Sequence, residues 1–465
     1  MDTVAQVVAA LEQLYAQGNA LAYQTGFERW EAQTQLSGGA FVATLVCGYL
    51  RDPHASRSAL AATAGQLGVP ISPQGLDQRL GPAGARLLQA VLGRAMRAVV
   101  QAEPTAEPLL ERFAAVYLQD RTVFALPDAL AAAWPGCGGR TAPGTQAALK
   151  AQVRLELRRG QLTGPELLPG RAQDQTGALV DELGEPGSLH VRDLGYFSLA
   201  RFAAWEAADQ YWLSRLKMGV TVVTAAEGAR VEAAWLAAQG PGPVDVAVQV
   251  GQAPALPARL LAARVPPAVA QERRRQLRAA AKREGTTPSR ARLGLADWTL
   301  ALTNVPPERL TVAEALVLLG VRWQIELVFK VWKQQRRFGQ WQSAKPWAIL
   351  CEVYATLLGV VVQHWLTLVG TGPPPQRSLA KAARVVARNV GVLLAAWRGR
   401  LPLALAVTIV ADGIDAGCRL ERRRRYPSTA QRLADPTLLL AFRSRYAKRR
   451  GRKAHATLQK VARCL

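Results

Sequence analysis

GVRWQIELVFKVWKQQ, residues 320–335, sets one acid, Glu326, among three cations, Arg322, Lys330 and Lys333. At about 100° per residue the four fall within roughly 40° of one line, so they share a helix face. Ile325, Leu327, Val328, Phe329, Val331 and Trp332 spread over the opposite side, interrupted only by Gln324, and this predicts an amphipathic helix turned towards a core. Gly320 stands just before it. Taken alone, the polar face reads first as a set of surface ion pairs, each contributing roughly 0.2–0.5 kcal/mol. The rest of the chain decides between that reading and a carboxylate held in a basic cradle for chemistry.

The chain has 465 residues, beyond the roughly 250–300 at which one hydrophobic core stops growing, so roughly two to four domains are expected. A hydrophobic content of 49% with 20% charged residues excludes a disordered chain. The net charge of +24 attracts polyanions and makes nucleic acid the leading partner, ahead of an anionic membrane. Cys47, Cys137, Cys351, Cys418 and Cys464 are odd in number and far apart, and no C-x-x-C occurs, so neither a zinc site nor a disulfide framework is expected. MDTVAQVVAALEQLYAQ at the amino end has Asp2 where a signal peptide has Lys or Arg, and it reads as an amphipathic helix. CEVYATLLGVVVQHWLTLVG, residues 351–370, is long enough to span a bilayer but carries Glu352, Gln363 and His364, which predicts a buried helix. Together these features predict a cytoplasmic protein with reduced thiols and no membrane contact.

Residues 1–112 have helical periodicity. The interruption RDPHASRSALAATAGQLGVPISPQGLDQRLGPAG carries helix-turn-helix punctuation: Gly68 ends one helix, Ser72 caps the next, and Pro73 occupies its first turn. Gln74, Gln78 and Arg79 then lie along the second helix, where a major-groove reader presents its side chains; a plain helical hairpin fits the same punctuation. From residue 113 the texture changes to strands: AAVYLQDRTVFAL, AALKAQVRLELRRG, GSLHVRDLGYFS and LSRLKMGVTVVTAA, with a loop, PGCGGRTAPGTQ, and a helix, SLARFAAWEAADQYWL, between them. Residues 229–310 form an inserted block, with strand-like VDVAVQVG, ARLLAARVPP and DWTLALTNV around the basic helical piece AVAQERRRQLRAAAKREG. The Glu326 helix and the apolar helix after it, 311–370, return the chain to the earlier sheet. GTGPPPQRS reads as a linker, and 371–465 is helical and basic: from Arg419 to Lys453 there are thirteen Lys or Arg against Glu421 and Asp435 alone. Nucleic-acid contact explains such a cluster better than a solvated face does.

Two further acids need a reason. Asp120 sits within YLQDRTV among β-branched and aromatic residues, where an unpaired carboxylate is costly to bury. Asp193 ends SLHVRD and precedes LGYF, a strand-to-turn junction at the rim of a sheet, where α/β proteins build their sites; a turn-capping aspartate is the alternative. Two aspartates on strands and a glutamate on a helix can together hold two divalent ions about 3.5–4 Å apart for in-line displacement at phosphorus. Three carboxylates beside a phosphodiester repel one another strongly unless Mg²⁺ or Mn²⁺ is bound, and Mg²⁺ prefers carboxylate oxygens. The cations on the Glu326 face then become phosphate clamps.

At these residues the sequence resembles the cut-and-paste DDE transposases of bacterial insertion elements, the insertion-sequence-four family with an RNase H-like catalytic core. That family's last catalytic helix carries Tyr, two residues, Arg, three residues, Glu, six residues, Lys; Arg322, Glu326 and Lys333 keep the spacing, and Leu319 replaces the tyrosine. LQDRTVFALP matches the strand of the first aspartate, RDLGYFSL the D-x-G-Y-F pattern of the second, and WTLALTNVPPERLT the segment ahead of the catalytic helix. The resemblance implies an RNase H-like mixed sheet flanked by helices, with a β-rich insertion and helical ends. The core would comprise 113–228 and 311–370 around the insertion at 229–310. It implies metal ligation and catalysis by Asp120, Asp193 and Glu326, with two Mg²⁺ or Mn²⁺ ions per active site. Arg322 and Lys333 would contact DNA phosphates, Arg215 would face DNA, and Trp298 would stack on a displaced base; Lys330 is added from the helix geometry alone. It further implies double-stranded DNA as partner, both as terminal inverted repeats and as target, and a homodimer pairing two ends. Leu319 keeps open a second reading, a non-catalytic or domesticated DNA-binding protein derived from a transposase, and a simple metal-dependent nuclease is a third.

Overall fold

A computed structural model describes residues 2–28, 35–138, 146–336, 341–370, 377–419 and 427–437, with the backbone alone for 334–336. The calls on RRRRY and KRRGRK, on the centre of PGCGGRTAPGTQ and on most of GTGPPPQRS lie outside the described residues.

From the amino end five helices follow one another, α1 (Thr3–Ala22), α2 (Gly38–Arg51), α3 (Arg57–Gln66), α4 (Pro73–Arg79) and α5 (Pro82–Ala95). The single turn α6 (Pro108–Glu111) leads into β1 (Val116–Leu126), β2 (Ala147–Glu156), β3 (Leu162–Pro169), the short α7 (Ala178–Asp181), β4 (Leu189–Arg192) and α8 (Leu199–Ala207). Next come β5 (Tyr211–Arg215), β6 (Val222–Thr224), α9 (Ala233–Ala238), β7 (Val244–Val250), β8 (Leu256–Arg264), α10 (Pro267–Arg283), α11 (Arg290–Gly294) and β9 (Trp298–Thr303). Helices α12 (Val312–Val321), α13 (Trp323–Arg336), α14 (Pro346–Leu368), α15 (Leu379–Arg388), α16 (Val390–Trp397), α17 (Leu403–Gly417) and α18 (Thr429–Ala434) follow. The fold is mixed α/β, and the strands form a sheet in the order β3-β2-β1-β4-β5-β9-β8-β7-β6. β1, β4 and β5 run parallel, whereas β5–β9, β9–β8, β8–β7, β7–β6 and β2–β3 are antiparallel.

The chain divides into two compact units, each assembled from separate stretches: Met1–Thr105 with Asp120–Val180 and Ile325–Leu420, and Ala106–Gln119 with Asp181–Gln324 and Glu421–Leu465. In the first unit, α2 buries every residue but Arg51. It approaches α1 through glycines: a Cβ on Gly39 would lie 2.6 Å from the Tyr15 carbonyl oxygen, so any larger residue would force the helices apart. Helix α14 is long and apolar enough to cross a membrane by composition, yet its apolar window is wholly buried in protein. Its polar groups are matched: Glu352 accepts from Arg57 at 3.1 Å, and His364 Nε2 lies 2.8 Å from the Gly160 carbonyl oxygen. Burial holds the His364 pKa below the ordinary histidine value, against the pull of that carbonyl.

The helix-turn-helix punctuation appears as read. Gly68 has φ +86°, Ser72 accepts from the Gly75 N–H at 3.0 Å, and Pro73 opens α4. Gln74 and Gln78 are exposed, but Arg79 turns inwards, donating to the Phe27 carbonyl at 3.3 Å with its guanidinium over the Phe27 ring.

In the second unit the core gathers on one face of β5–β9, where Phe202 and Trp212 stack with centroids 4.3 Å apart. The helix expected over SLARFAAWEAADQYWL stops at Ala207: Asp209 takes φ +53°, and Tyr211 begins β5. Trp212 is buried completely in that strand, its periodicity having been mistaken for helix.

Candidate active site

β1 and β4 are parallel neighbours whose register pairs Tyr117 with His190 and Gln119 with Arg192. Asp120 and Asp193 are the next residues along these two strands after the last paired position. Asp120 remains within β1, half-buried, and one carboxylate oxygen accepts from the Arg121 backbone N–H at 2.8 Å. Asp193 follows β4 and begins a turn of 3₁₀ helix, Leu194–Tyr196; it is half-buried, and its side chain makes no capping bond to that turn. The capping role that competed for this aspartate is therefore not the one it fills.

The strand carrying Asp193 is fixed from behind by an aromatic stack that the sequence reading missed. His190 lies parallel to Trp205 with centroids 4.2 Å apart, and its Nε2 is 2.7 Å from Gln210 Oε1. The Arg192 guanidinium sits 4.4 Å from the centre of the same indole and 5.8 Å from the Tyr196 ring. Both His190 and Arg192 are buried. The signal was present in the alternation of SLHVRD, where two polar residues occupy one strand face two residues apart. Gln210 continues the bracing by bonding both the Gly184 N–H and carbonyl.

Glu326 lies in the first turn of α13, half-buried, where a carboxylate suits the positive end of the helix dipole. The single helix predicted after Gly320 is divided: Gly320 lies inside α12, which ends at Val321, Arg322 is its C-cap, and α13 starts at Trp323. Arg322 keeps αR dihedrals, so the interruption is one residue deep. Below it Ile325, Val328, Phe329, Val331 and Trp332 are buried as the apolar arc requires, while Lys330 and Lys333 are exposed. Although much of Lys333 is open, its ammonium lies 5.9 Å from the Phe124 ring centre, and desolvation lowers its pKa from the usual lysine value.

Two remaining candidates have settled surroundings. Arg215 ends β5, half-buried and in register with Ala301 of β9. Trp298, expected to stack on a base, is a core residue: it is 4% exposed, packs with Leu236, Val244 and Ala262, and has the Arg264 guanidinium 4.7 Å from its ring centre. Stacking on a base would require Arg264 to leave that ring. Leu319, in the position of the family tyrosine, is 5% exposed within α12. Among the described residues, Asp120, Asp193 and Glu326 included, no three His, Cys, Asp or Glu side chains come together as a metal-binding group, so the expected three-carboxylate set is not assembled in this structure. The chemistry of the donors fits a hard cation, since Mg²⁺ takes one or two carboxylates together with substrate phosphates and retained water.

Residues 111–361 match the family described as Transposase DDE domain, more than half of the chain. The chain belongs to this family. The transposase for insertion sequence element IS231B of Bacillus thuringiensis subsp. berliner is 26% identical over 325 residues, covering 66% of this chain and 67% of the relative. The transposase for IS231D of B. thuringiensis subsp. finitimus is 26% identical over 364 residues, 73% of this chain and 74% of its own. The transposase for IS1151 of Clostridium perfringens is 23% identical over 269 residues, 54% and 56% of the two chains. As a DDE transposase-domain protein, the chain has Asp120, Asp193, Arg215, Trp298, Arg322, Glu326, Lys330 and Lys333 within the matched span, and its mixed sheet with flanking helices agrees with the RNase H-like fold.

Proposed function

We propose that this protein is an insertion-sequence transposase that cuts DNA at the ends of its own element and joins those ends to target DNA. The observation that carries this reading is the register of β1 and β4, after which each strand's next residue is an aspartate. Each aspartate directly follows the last paired residue of its strand, and a chain of net charge +24 attracts the phosphates on which such acids would act through a bound cation. Asp120, Asp193 and Glu326 would hold Mg²⁺ or Mn²⁺, which supplies Lewis-acid polarisation of the phosphoryl oxygens and acidifies a bound water. The protein's own contribution is orientation. The His190–Trp205–Arg192 stack holds the end of β4 and thereby Asp193. The first turn of α13 presents Glu326, and Arg322, Lys330 and Lys333 would bind the DNA backbone as it is brought to the acids. A homodimer would pair the two ends.

The test is to incubate the purified full chain with duplexes carrying the element's own terminal repeats and a supercoiled plasmid. Expected are Mg²⁺-dependent breaks with free 3′ hydroxyls, joined to plasmid and abolished by EDTA. The replacement of the signature tyrosine by buried Leu319 favours one other reading, a DNA-binding protein without chemistry, for which the same mixture gives complexes but no breaks. Breaks without joining would mark a nuclease.

A further inference from the structure

Helix α10 carries five arginines and one lysine between Arg273 and Arg283, and the fold sorts them by face. Arg273 donates to the Trp298 carbonyl at 2.7 Å and to Thr299 Oγ1 at 3.2 Å; Arg274 donates to the Leu293 carbonyl at 3.2 Å and to the Asp297 carboxylate. These two fasten the helix to β9 and to the turn before it. Arg275 faces outwards and is paired with Glu272 at 2.7 Å. Arg278, Lys282 and Arg283 are exposed and have no ion-pair partner among the described residues, and Arg290 and Arg292 on α11 share that condition.

From Arg275 to Arg292 there are six cations and a single acid, Glu284. Arg275, Arg278 and Lys282 recur at spacings of three and four, a stripe about 60° wide and about 10 Å long at 1.5 Å per residue. Like charges so spaced destabilise a helix by a few tenths of a kcal/mol per pair. On the opposite face the same helix matches its arginines to carbonyls and a carboxylate, and in the outer row Arg275 is matched to Glu272, whereas Arg278 and Lys282 have no ion-pair partner among the described residues. DNA presents one phosphate per about 3.4 Å of axis on each strand, a ladder that a row of Arg and Lys can follow whatever the base sequence.

We propose that the exposed faces of α10 and α11 grip target DNA by its phosphates. This rests on the transposase reading for the identity of the duplex. The target is chosen over the element's own ends because point contacts to phosphate carry no sequence information, whereas recognition of a defined terminal repeat needs base contacts.

The test uses the full chain with Arg278→Ala, Lys282→Ala, Arg290→Ala and Arg292→Ala combined, binding a 30-base-pair duplex of mixed sequence across a salt series. Losing four phosphate contacts should flatten the plot of log affinity against log salt by about 3–4 units and weaken binding at low salt by about a hundredfold. Joining to plasmid should fall in parallel while cutting of terminal-repeat DNA persists. Unchanged affinity and slope would overturn the proposal. So would equal loss on removing four cations elsewhere (Lys381→Ala, Arg384→Ala, Arg388→Ala, Arg400→Ala), which would mean that only net charge matters. Loss confined to terminal-repeat DNA would overturn it too, assigning the surface to the ends. Alanine favours helix at these exposed positions, and a charge-keeping variant (Arg278→Lys, Arg290→Lys, Arg292→Lys) should retain the wild-type slope; losing it would also count against the assignment. A wild-type protein that binds mixed duplex steeply with salt but never cuts would sink the transposase reading and leave this surface standing.

Discussion

Glu352 in α14 and Asp193 after β4 are acids with opposite local company. Glu352 is 3% exposed and is answered on both oxygens, by Arg57 at 3.1 Å and by the Gln342 N–H at 2.9 Å. Arg57 in turn reaches Asp77 at 3.1 Å, and Asp77 is also held by Lys345 at 3.0 Å. Asp193, half-buried, does not cap the turn that it begins. The first acid is spent on joining helices within its unit. The second makes no capping bond and has no ion pair among the described residues, so it is not spent on fastening its own turn.

The largest effect that would sharpen this contrast is Asp193→Asn. Several kcal/mol of transition-state stabilisation depend on a metal ligand, and about 4 kcal/mol is about a thousandfold in rate, so DNA cutting should fall by that order while the thermal midpoint stays unchanged. Cutting at wild-type rate would break the distinction.

Glu352→Leu should do the reverse, costing about 3 kcal/mol of stability because it strands Arg57 and the Gln342 N–H, with activity per folded molecule preserved. Glu352→Gln keeps an acceptor and should cost less than half of that. Burial raises the Glu352 pKa above the ordinary carboxylate value, opposed by the Gln342 N–H and by Arg57. The folded protein therefore binds this proton more tightly than the unfolded chain. The stability it contributes is complete below the ordinary value and is lost as pH rises through the raised one. Urea titrations across that window should show the decline in wild type and its absence in Glu352→Gln.

The smallest effect concerns a third acid, Glu314 of α12. Burial pushes its pKa up, but bonds from Arg112 at 2.7 Å and from the Thr311 N–H and hydroxyl outweigh it and hold the group low. Thr311→Ala removes half of this capping box and should lower stability by about 1 kcal/mol, measured by thermal melting, with no change in cutting. A loss of cutting there would blur the line between structural and chemical acids.

The strands were legible where apolar residues alternate or run together, as in β1, β2 and β7–β9. β3 was not, because LTGPELLP carries two prolines and a glycine and reads as loop; it is tolerated because β3 is the edge strand, paired only to β2. The acids were legible because a carboxylate in a strand is conspicuous. Their setting was less so: the His190–Trp205–Arg192 stack depends on contacts between β4 and α8 that no local period announces. Trp298 could not be separated from a surface aromatic by sequence, since its burial comes from β7, β8 and α9 closing around it.

The Arg57–Glu352 pair joins positions 295 residues apart, and the same α14 covers α2, which has no exposed side other than Arg51. During synthesis at about 5–20 residues per second, α2 emerges about 15–60 s before the helix that shelters it. For that interval the nascent chain displays an almost wholly greasy segment to its surroundings. Yield in a cell should accordingly respond to translation speed and to chaperone supply more than the finished protein's melting temperature would suggest.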